Sequence, residues 1–157
     1  MATWGIHHTS LVVSDADKAL RFYRDGLGLE LVGDVEEQTE RLAQQVEVPG
    51  AWIRCMWLKT PESNTLLELL EYKNPPGKQF DLHCNDIGAP HVSFLVDDIY
   101  ETTEKLKSMG YRPTTEPQDV DPNTQPDAKT IYFRDADGIA VEIFQMCPER
   151  KMNKRFY

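Results

Sequence analysis

Two stretches of the chain, GIHHTSLVVSD (residues 5–15) and GAPHVSFLVDD (residues 88–98), carry the same residues at the same spacing. Such a match at one fixed offset predicts an internal duplication. The alignment also separates two adjacent histidines, because His8 has a counterpart and His7 has none. The identical pairs are Gly5 and Gly88, His8 and His91, Ser10 and Ser93, Val13 and Val96, and Asp15 and Asp98.

The first half of the chain predicts the element order βαβββ. Its helix contains an apolar stripe, is capped by Ser14 or Asp15, and ends at Gly26 or Gly28. Polar residues 35–48 predict a helical insertion before the third strand. The four predicted strands are HTSLVV, LELVGDV, IRCMWLKT and TLLELLEY.

The second half repeats this order. Its helix, DDIYETTEKLKSMG, ends at Gly110, and the Pro-rich stretch 116–128 is predicted as a loop. The predicted strands are HVSFLV, YRPTTE, KTIYFR and IAVEIFQ, the last two joined by a turn at DADG.

The pattern therefore predicts an α+β fold of two tandem βαβββ modules with mixed sheets. The predicted organisation is a first module at 1–74, a linker at 75–90, a second module at 91–147 and a basic tail at 148–157.

Composition and charge limit the partners of this 157-residue chain. A formal net charge of -9 argues against binding nucleic acid or an anionic membrane, since both require a basic face. No apolar run approaches the roughly 20 residues of a membrane-spanning helix, and the N-terminus lacks the regions of a secretory signal. Three scattered cysteines without zinc-type spacing predict free thiols and a cytoplasmic location.

Four ligand-type side chains fall inside predicted strands, where a charged group among apolar neighbours is costly unless it has a partner. His8 and His91 begin the first strand of each half, and Glu68 and Glu142 lie in the last. A single such residue commonly has a structural role or faces solvent. Because the duplication relates the two pairs, the pattern favours a site where two imidazoles and two carboxylates hold a divalent metal ion.

Other residues are candidates for binding substrate. If DADG forms a four-residue loop, Ile131 faces Glu142 and Lys129 shares the face of Glu142, where it can hold an anionic or hydroxylated group. Arg54 is another candidate clamp, with an exposed strand position as the alternative. Trp57 either lines the pocket or belongs to the core.

Strand alternation predicts that near neighbours of the candidate ligands face away from them. His7 is expected to point away from His8. Glu71 is expected on the face opposite Glu68, as an exposed charge at the strand end.

Nearly the whole chain resembles the vicinal oxygen chelate superfamily, which includes glyoxalase I, methylmalonyl-CoA epimerase, extradiol dioxygenases and the fosfomycin and bleomycin resistance proteins. The fold that this resemblance implies is a pair of βαβββ modules, each curving into a half-open cup around a metal. The resemblance rests on IHHTSLVVSDADKALRFYRDGLGLELV, TLLELLEY, GAPHVSFLVDDI and IYFRDADGIAVEIFQ.

Carried over position by position, the resemblance implies metal ligands at His8, Glu68, His91 and Glu142. The cofactor that it implies is a divalent ion of nickel, cobalt, manganese, zinc or iron. A complete set of four is similar to glyoxalase I and the epimerases. Extradiol dioxygenases and fosfomycin transferases typically use two histidines and one glutamate, and bleomycin-binding proteins usually lack the ligands.

The reaction implied by this resemblance is proton transfer next to a carbonyl that the metal polarises. Glu142 and Glu68 are the first candidates for the catalytic base. Epimerases of this type place a separate glutamate before the third strand, where Glu47 lies two or three residues from the expected position.

The favoured expectation is an epimerase or isomerase that acts on a small molecule, either a cyclitol-like ketone or an acyl-CoA, and forms a homodimer. Three alternatives stay open. They are a glyoxalase I-like lyase, an extradiol-type dioxygenase with iron, and a drug-binding resistance protein without catalysis.

Overall fold

The described residues of this computed structural model, which are 2–3, 5–121, 123 and 127–146, form two sheets of four strands each. The chain divides into two compact units, Met1–Phe80 and Asp81–Tyr157. The division lies within the segment 75–90, which the sequence predicts as a linker. The predicted basic tail at 148–157 lies outside the described residues.

The sheet of the first unit, sheet I, has the strand order β1-β4-β3-β2. Strand β1 runs parallel to β4, and the other pairs are antiparallel. The elements are β1 (His8–Val12), α1 (Ala16–Leu20), a π-helical turn that continues it (Arg21–Gly26), β2 (Glu30–Glu37), α2 (Glu40–Gln45), β3 (Trp52–Lys59) and β4 (Leu66–Asn74).

The helical segment made of α1 and its π-helical turn begins and ends at the residues that the sequence predicts. The Asp15 side chain accepts a hydrogen bond from the Lys18 backbone N–H at 3.0 Å, and Gly28 follows the helical segment at a φ of 79°. One side of α1 and its π-helical turn is buried and packs near β4, so that Phe22 and Tyr23 are fully enclosed. This packing covers one face of sheet I, which we call its helix face.

The predicted insertion at 35–48 is helical only in part. Strand β2 continues to Glu37, and α2 begins after Thr39, whose side chain accepts from the Leu42 N–H at 3.1 Å. The prediction placed the helix too early because the polar residues at the end of β2 lack strand periodicity. A small apolar cluster anchors this helix, with Ala43, Ala51 and Ile53 buried and Leu42, Val46, Val48, Leu70 and Tyr72 packed around them.

The second unit contains sheet II, with the strand order β5-β8-β7-β6. Strand β5 runs parallel to β8, and helix α3 packs against β7 and β8. Neither sheet pairs its two edge strands with each other. The α+β fold and the βαβββ order of both halves are therefore confirmed. The elements are β5 (His91–Leu95), α3 (Ile99–Ser108), β6 (Gln118–Asp119), β7 (Lys129–Arg134) and β8 (Ala140–Gln145).

The third element of the second half differs from its prediction. YRPTTE was expected to be a strand, but Pro113 makes only an isolated bridge with Phe133. Proline has no backbone N–H to donate, so it interrupts a ladder. The strand β6 begins only at Gln118, inside the stretch predicted as a loop, and pairs with Lys129 and Thr130.

The turn between β7 and β8 is longer by one residue than the predicted four. Arg134 pairs with Ala140, which leaves residues 135–139 in the loop. The buried Asp135 carboxylate accepts the backbone N–H groups of Asp137 and Ile139, both at 2.9 Å. These bonds draw Ile139 into the loop and shift the register of the whole hairpin by one position.

The described helices include none with the length and apolar character needed to cross a membrane.

We expect Gly110→Ala to lower the free energy of unfolding by about 1 kcal/mol. Gly110 follows α3 at a φ of 93°, and a Cβ built there has no neighbour within 4 Å, so the loss is one of backbone conformation alone. Urea denaturation of the variant and the wild type measures this difference in the free energy of unfolding. Gly5→Ala is the matched control, because Gly5 has equal space and lacks a positive φ. An equal loss in both variants would contradict this explanation.

Candidate functional site

The candidate site residues occupy equivalent register positions in the two sheets. Ser10 of β1 pairs with Glu68 of β4, and Ser93 of β5 pairs with Glu142 of β8. In each unit the candidate histidine lies two residues before the serine. Since side chains alternate along a strand, histidine, serine and glutamate share one face of each sheet. We call this the site face of each sheet. The opposite face is the helix face, which packs against α1 in sheet I and against α3 in sheet II.

In the first unit, His8 and Glu68 approach each other. The His8 Nε2 lies 3.7 Å from Glu68 Oε2, and Glu68 is only 8% exposed. This distance is too long for a hydrogen bond, so neither atom satisfies the other. Within either unit, the described residues contain no group of three or more His, Cys, Asp or Glu side chains arranged to hold a metal.

Two neighbours hold the Glu68 carboxylate. The Ser10 hydroxyl donates to Oε2, and the Cys55 thiol donates to Oε1 at 3.1 Å. These bonds offset part of the cost of burying a carboxylate. Burial raises the pKa of the Cys55 thiol to about 12, and the Glu68 carboxylate adds to the rise.

Glu142 is held in a similar way. The Thr130 hydroxyl donates to Glu142 Oε1 at 2.6 Å, and Tyr132 lies directly opposite Glu142 on β7. Burial raises the pKa of the Tyr132 phenol, and the negative charge of Glu142 raises it further. The rings of His91 and Tyr132 are 5.9 Å apart, so imidazole, phenol and carboxylate line the same face of sheet II.

The partners of the two glutamates also occupy equivalent positions. An aromatic residue stands opposite each glutamate, Trp57 for Glu68 and Tyr132 for Glu142. Two residues before the aromatic residue stands the hydrogen-bond donor, Cys55 in one unit and Thr130 in the other. The duplication thus extends from the ligand-type residues to the side chains that hold them.

Trp57 lies beside the candidate histidine. The His8 and Trp57 ring centroids are 5.0 Å apart with an interplanar angle of 83°. Trp57 also packs over Gly33 of β2, where an added Cβ would stand only 3.1 Å from the indole Cδ1. The structure therefore places Trp57 on the site face, beside His8.

The expectation that His7 points away from His8 is wrong. The two Nδ1 atoms are 2.8 Å apart, and the His7 ring lies edge-to-face against both His8 and Trp57. His7 precedes the first residue of β1, so the alternation of a regular strand does not govern its direction.

Lys129 does not share the face of Glu142. The five-residue loop pairs Glu142 with Tyr132 and Ile131 with Ile143, so the predicted register is wrong by one residue. Lys129 lies on the helix face and forms an ion pair with Asp119, which raises the pKa of the ammonium group.

Arg54 likewise lies on the helix face of sheet I. Its guanidinium forms ion pairs with Asp34 at 2.8 Å and Asp17 at 3.1 Å, which link α1 to β2 across β3. These two bonds raise the pKa of Arg54, and the same contact lowers the pKa of Asp34. Because the side chain is only 18% exposed, the alternative of an exposed strand position is incorrect.

Two glutamates near the predicted site lie elsewhere. Glu47 is exposed in the turn between α2 and β3 at a φ of 56°. Glu71 lies on the face opposite Glu68, as expected, but its side chain is only 15% exposed. It accepts from the Ala16 backbone N–H at 3.3 Å and pairs with Lys73.

The sequence interpretation missed four residues of the site. Ser10 is one of the identical pairs of the duplication, but that identity alone does not indicate that its hydroxyl donates to Glu68. Thr130 and Tyr132 follow only from the true register of β7 and β8, which depends on the unexpected length of the Asp135 loop. Cys55 follows from the register of β3 and β4.

Comparison with known families decides the relationship of this chain. A family model described as Glyoxalase/Bleomycin resistance protein/Dioxygenase superfamily matches residues 5–143. The chain belongs to this superfamily. The resemblance to the vicinal oxygen chelate proteins is thereby confirmed, and with it the fold class.

Relatives within the superfamily carry different names. The chain is 25% identical over 146 residues to a 2-epi-5-epi-valiolone epimerase from an Actinomyces species, covering 90% of this chain and 79% of that protein. It is 29% identical over 145 residues to a probable lactoylglutathione lyase from Vibrio parahaemolyticus, covering 92% and 93%. Both an epimerase and a lyase are therefore among its relatives.

A solved structure supports the fold. A glyoxalase family protein from Bacillus cereus superposes with a TM-score of 0.84 at 22% identity, covering 93% of this chain and 96% of that one.

The environment of Cys55 predicts low thiol reactivity. With a pKa of about 12, roughly one Cys55 in 10,000 is a thiolate at pH 8. We expect iodoacetamide to modify the exposed Cys84 at least tenfold faster than Cys55, as measured by mass spectrometry of the two peptides. The rate at Cys55 should rise steadily as the pH approaches 12. Equal rates at pH 8 would show that Cys55 is not held against Glu68.

Proposed function

We propose that this chain is a divalent-metal-dependent epimerase or isomerase that removes and returns a proton next to a carbonyl group of a small substrate. One observation carries the proposal. In both units, the register places a histidine of the first strand and a glutamate of the last strand on one face, with the glutamate held by a donor and flanked by an aromatic ring.

The proposed metal ligands are His8, Glu68, His91 and Glu142. Their chemistry fits a first-row divalent ion, because imidazole nitrogen and carboxylate oxygen are both good ligands for nickel, cobalt, manganese, zinc and iron. The 3.7 Å separation of His8 Nε2 from Glu68 Oε2 also fits, since two atoms that coordinate one ion are close without bonding each other. When bound, such an ion acts as a Lewis acid that polarises the carbonyl and makes the adjacent carbon acidic.

Glu142 is the proposed base. A carboxylate that takes up a proton must reach the substrate carbon and must stay basic. Both oxygens of Glu68 accept hydrogen bonds and its side chain is buried, which limits the access of a substrate carbon to it. Glu142 is only half-buried, and its neighbour Tyr132 supplies a phenol beside it. Return of the proton to the opposite face of the carbon gives epimerisation, and return to the neighbouring carbon gives isomerisation.

Trp57 is proposed to contact the substrate, because it lies on the site face beside Glu68. Tyr132 has the equivalent place beside Glu142 in the second unit. Arg54 and Lys129 form ion pairs with aspartates on the helix faces, and Glu47 lies in an exposed turn. We therefore propose no role for these three residues in the reaction.

The named relatives support this reaction class. One is an epimerase whose name specifies a cyclic ketone, and this favours a cyclitol-like ketone over an acyl-CoA as substrate. The relatives named lactoylglutathione lyase favour a second candidate, the glyoxalase I-like conversion of a thiol–aldehyde adduct. That reaction also begins with removal of a proton next to a carbonyl, so the same residues serve it. A cytoplasmic homodimer is the proposed state.

Metal binding tests the proposed ligands directly. We expect His8→Ala and His91→Ala each to weaken Zn²⁺ or Co²⁺ binding by at least about tenfold, because each removes one ligand. Isothermal titration calorimetry of the purified protein measures this. His83→Ala is the matched control, since His83 is 77% exposed and contacts Asp86 in the linker. A wild-type protein that binds no divalent ion, or an equal loss in the control, would contradict the proposed site.

Proton exchange tests the proposed base. In heavy water, the metal-loaded protein should exchange the hydrogen next to the carbonyl of 2-epi-5-epi-valiolone, as followed by NMR. We expect Glu142→Gln to slow this exchange by about 10²- to 10⁴-fold, because an amide cannot accept the proton. Glu101→Gln, an exposed change in α3, is the control.

Other outcomes of the exchange experiment separate the alternatives. Formation of a thioester from the glutathione adduct of methylglyoxal supports the lyase. Oxygen consumption with iron supports a dioxygenase, and tight binding of a drug without metal or exchange supports a resistance protein. Full exchange activity in the Glu142→Gln variant would remove Glu142 from the mechanism.

A further inference from the structure

We infer that His7 is a positioning residue for His8. Its Nδ1 accepts the proton carried by His8 Nδ1, which leaves the His8 Nε2 lone pair free on the side of Glu68. This inference rests on the proposed function, because it names a partner for one of the proposed metal ligands.

The contact between the two rings requires a shared proton. His7 Nδ1 and His8 Nδ1 are 2.8 Å apart, a normal hydrogen-bond distance. A neutral imidazole carries a proton on one ring nitrogen and a lone pair on the other, so one of these two Nδ1 atoms donates and the other accepts. The protonation of one ring therefore determines that of the other.

The position of Glu68 indicates which ring donates in the metal-bound protein. His8 Nε2 is the nitrogen that faces Glu68, at 3.7 Å from Oε2. A histidine ligand must present a bare nitrogen to the metal, and its other nitrogen then carries the proton. His8 Nδ1 is thus the donor and His7 Nδ1 the acceptor. An acceptor at this place fixes the tautomer and the orientation of the ligand ring.

Trp57 holds both rings in this arrangement. The His7 and His8 rings stand edge-to-face to the indole, with centroid distances of 6.0 and 5.0 Å and interplanar angles of 80° and 83°. Gly33 makes this possible, since a side chain there would stand 3.1 Å from the indole Cδ1. The histidine pair is therefore packed against a fixed aromatic surface.

The second unit lacks this arrangement. The residue that corresponds to His7 in the duplication is Pro90, which has neither a side-chain nitrogen nor a backbone N–H. His91 instead has the Tyr132 ring at 5.9 Å. A change at position 7 should therefore affect His8 and leave His91 unaffected.

Metal affinity tests the inference with three variants. We expect His7→Phe to weaken Zn²⁺ binding by about 10- to 100-fold, because the phenyl ring keeps the packing on Trp57 and removes the acceptor. His7→Asn should restore the affinity to within a few-fold of wild type, since an amide oxygen can accept from His8 Nδ1. His83→Phe should leave the affinity unchanged. Circular dichroism checks that all variants fold alike.

NMR of the imidazole nitrogens supplies a readout besides affinity. In the Zn²⁺-bound protein, we expect a slowly exchanging His8 Hδ1 and a neutral His7 ring whose proton is on Nε2. The His8 Hδ1 signal should be lost to solvent exchange in the His7→Phe variant.

The outcomes distinguish this inference from the proposed function. If His8→Ala abolishes Zn²⁺ binding while His7→Phe binds as the wild type does and keeps the Hδ1 signal, the role of His7 is overturned and the metal site stands. If His8→Ala leaves Zn²⁺ binding unchanged, the proposed metal site fails and the role assigned to His7 fails with it.

Discussion

The parallel pairing of the first strand with the last strand of each unit is the constraint on which the site depends. In sheet I, this pairing sets Ser10 against Glu68, and in sheet II it sets Ser93 against Glu142. Because side chains alternate, a slip of one residue in either ladder would send the glutamate to the helix face. The apolar residues of that face oppose such a slip, since they fill the core under α1 and α3.

A carboxylate on the site face needs hydrogen-bond donors for its oxygens but no ion pair with a side-chain cation. Full burial without partners would be costly, and an ion pair with a lysine or arginine would compete with the proposed metal for its oxygens. The chain meets both demands with neutral donors, a serine and a thiol at Glu68 and a threonine at Glu142. Arg54 and Lys129, which the sequence offered as groups that hold the substrate, are paired with aspartates on the other face. Neither of these two side chains therefore forms an ion pair with a proposed metal ligand.

Much of the fold was predictable from sequence because it follows from local rules and from the duplication. The identities around His8 and His91 indicated that the chain consists of two similar halves. Asp15, Gly28 and Gly110 predicted helix ends that the structure also has. The predictions that depended on counting residues across a turn were wrong. The side chain of Asp135 extends one loop, and with it moves Lys129 to the opposite face. No periodicity in the strands reveals how many backbone groups a loop carboxylate will bind.

The α2 cluster has a consequence for the site face of sheet I. Ile53, Leu70 and Tyr72 belong to the same face as Glu68, and α2 lies over this end of the face. Leu70 is only two residues beyond Glu68 along β4. The polar part of the face that contains His8, Ser10 and Glu68 therefore borders directly on an apolar part that the chain itself covers.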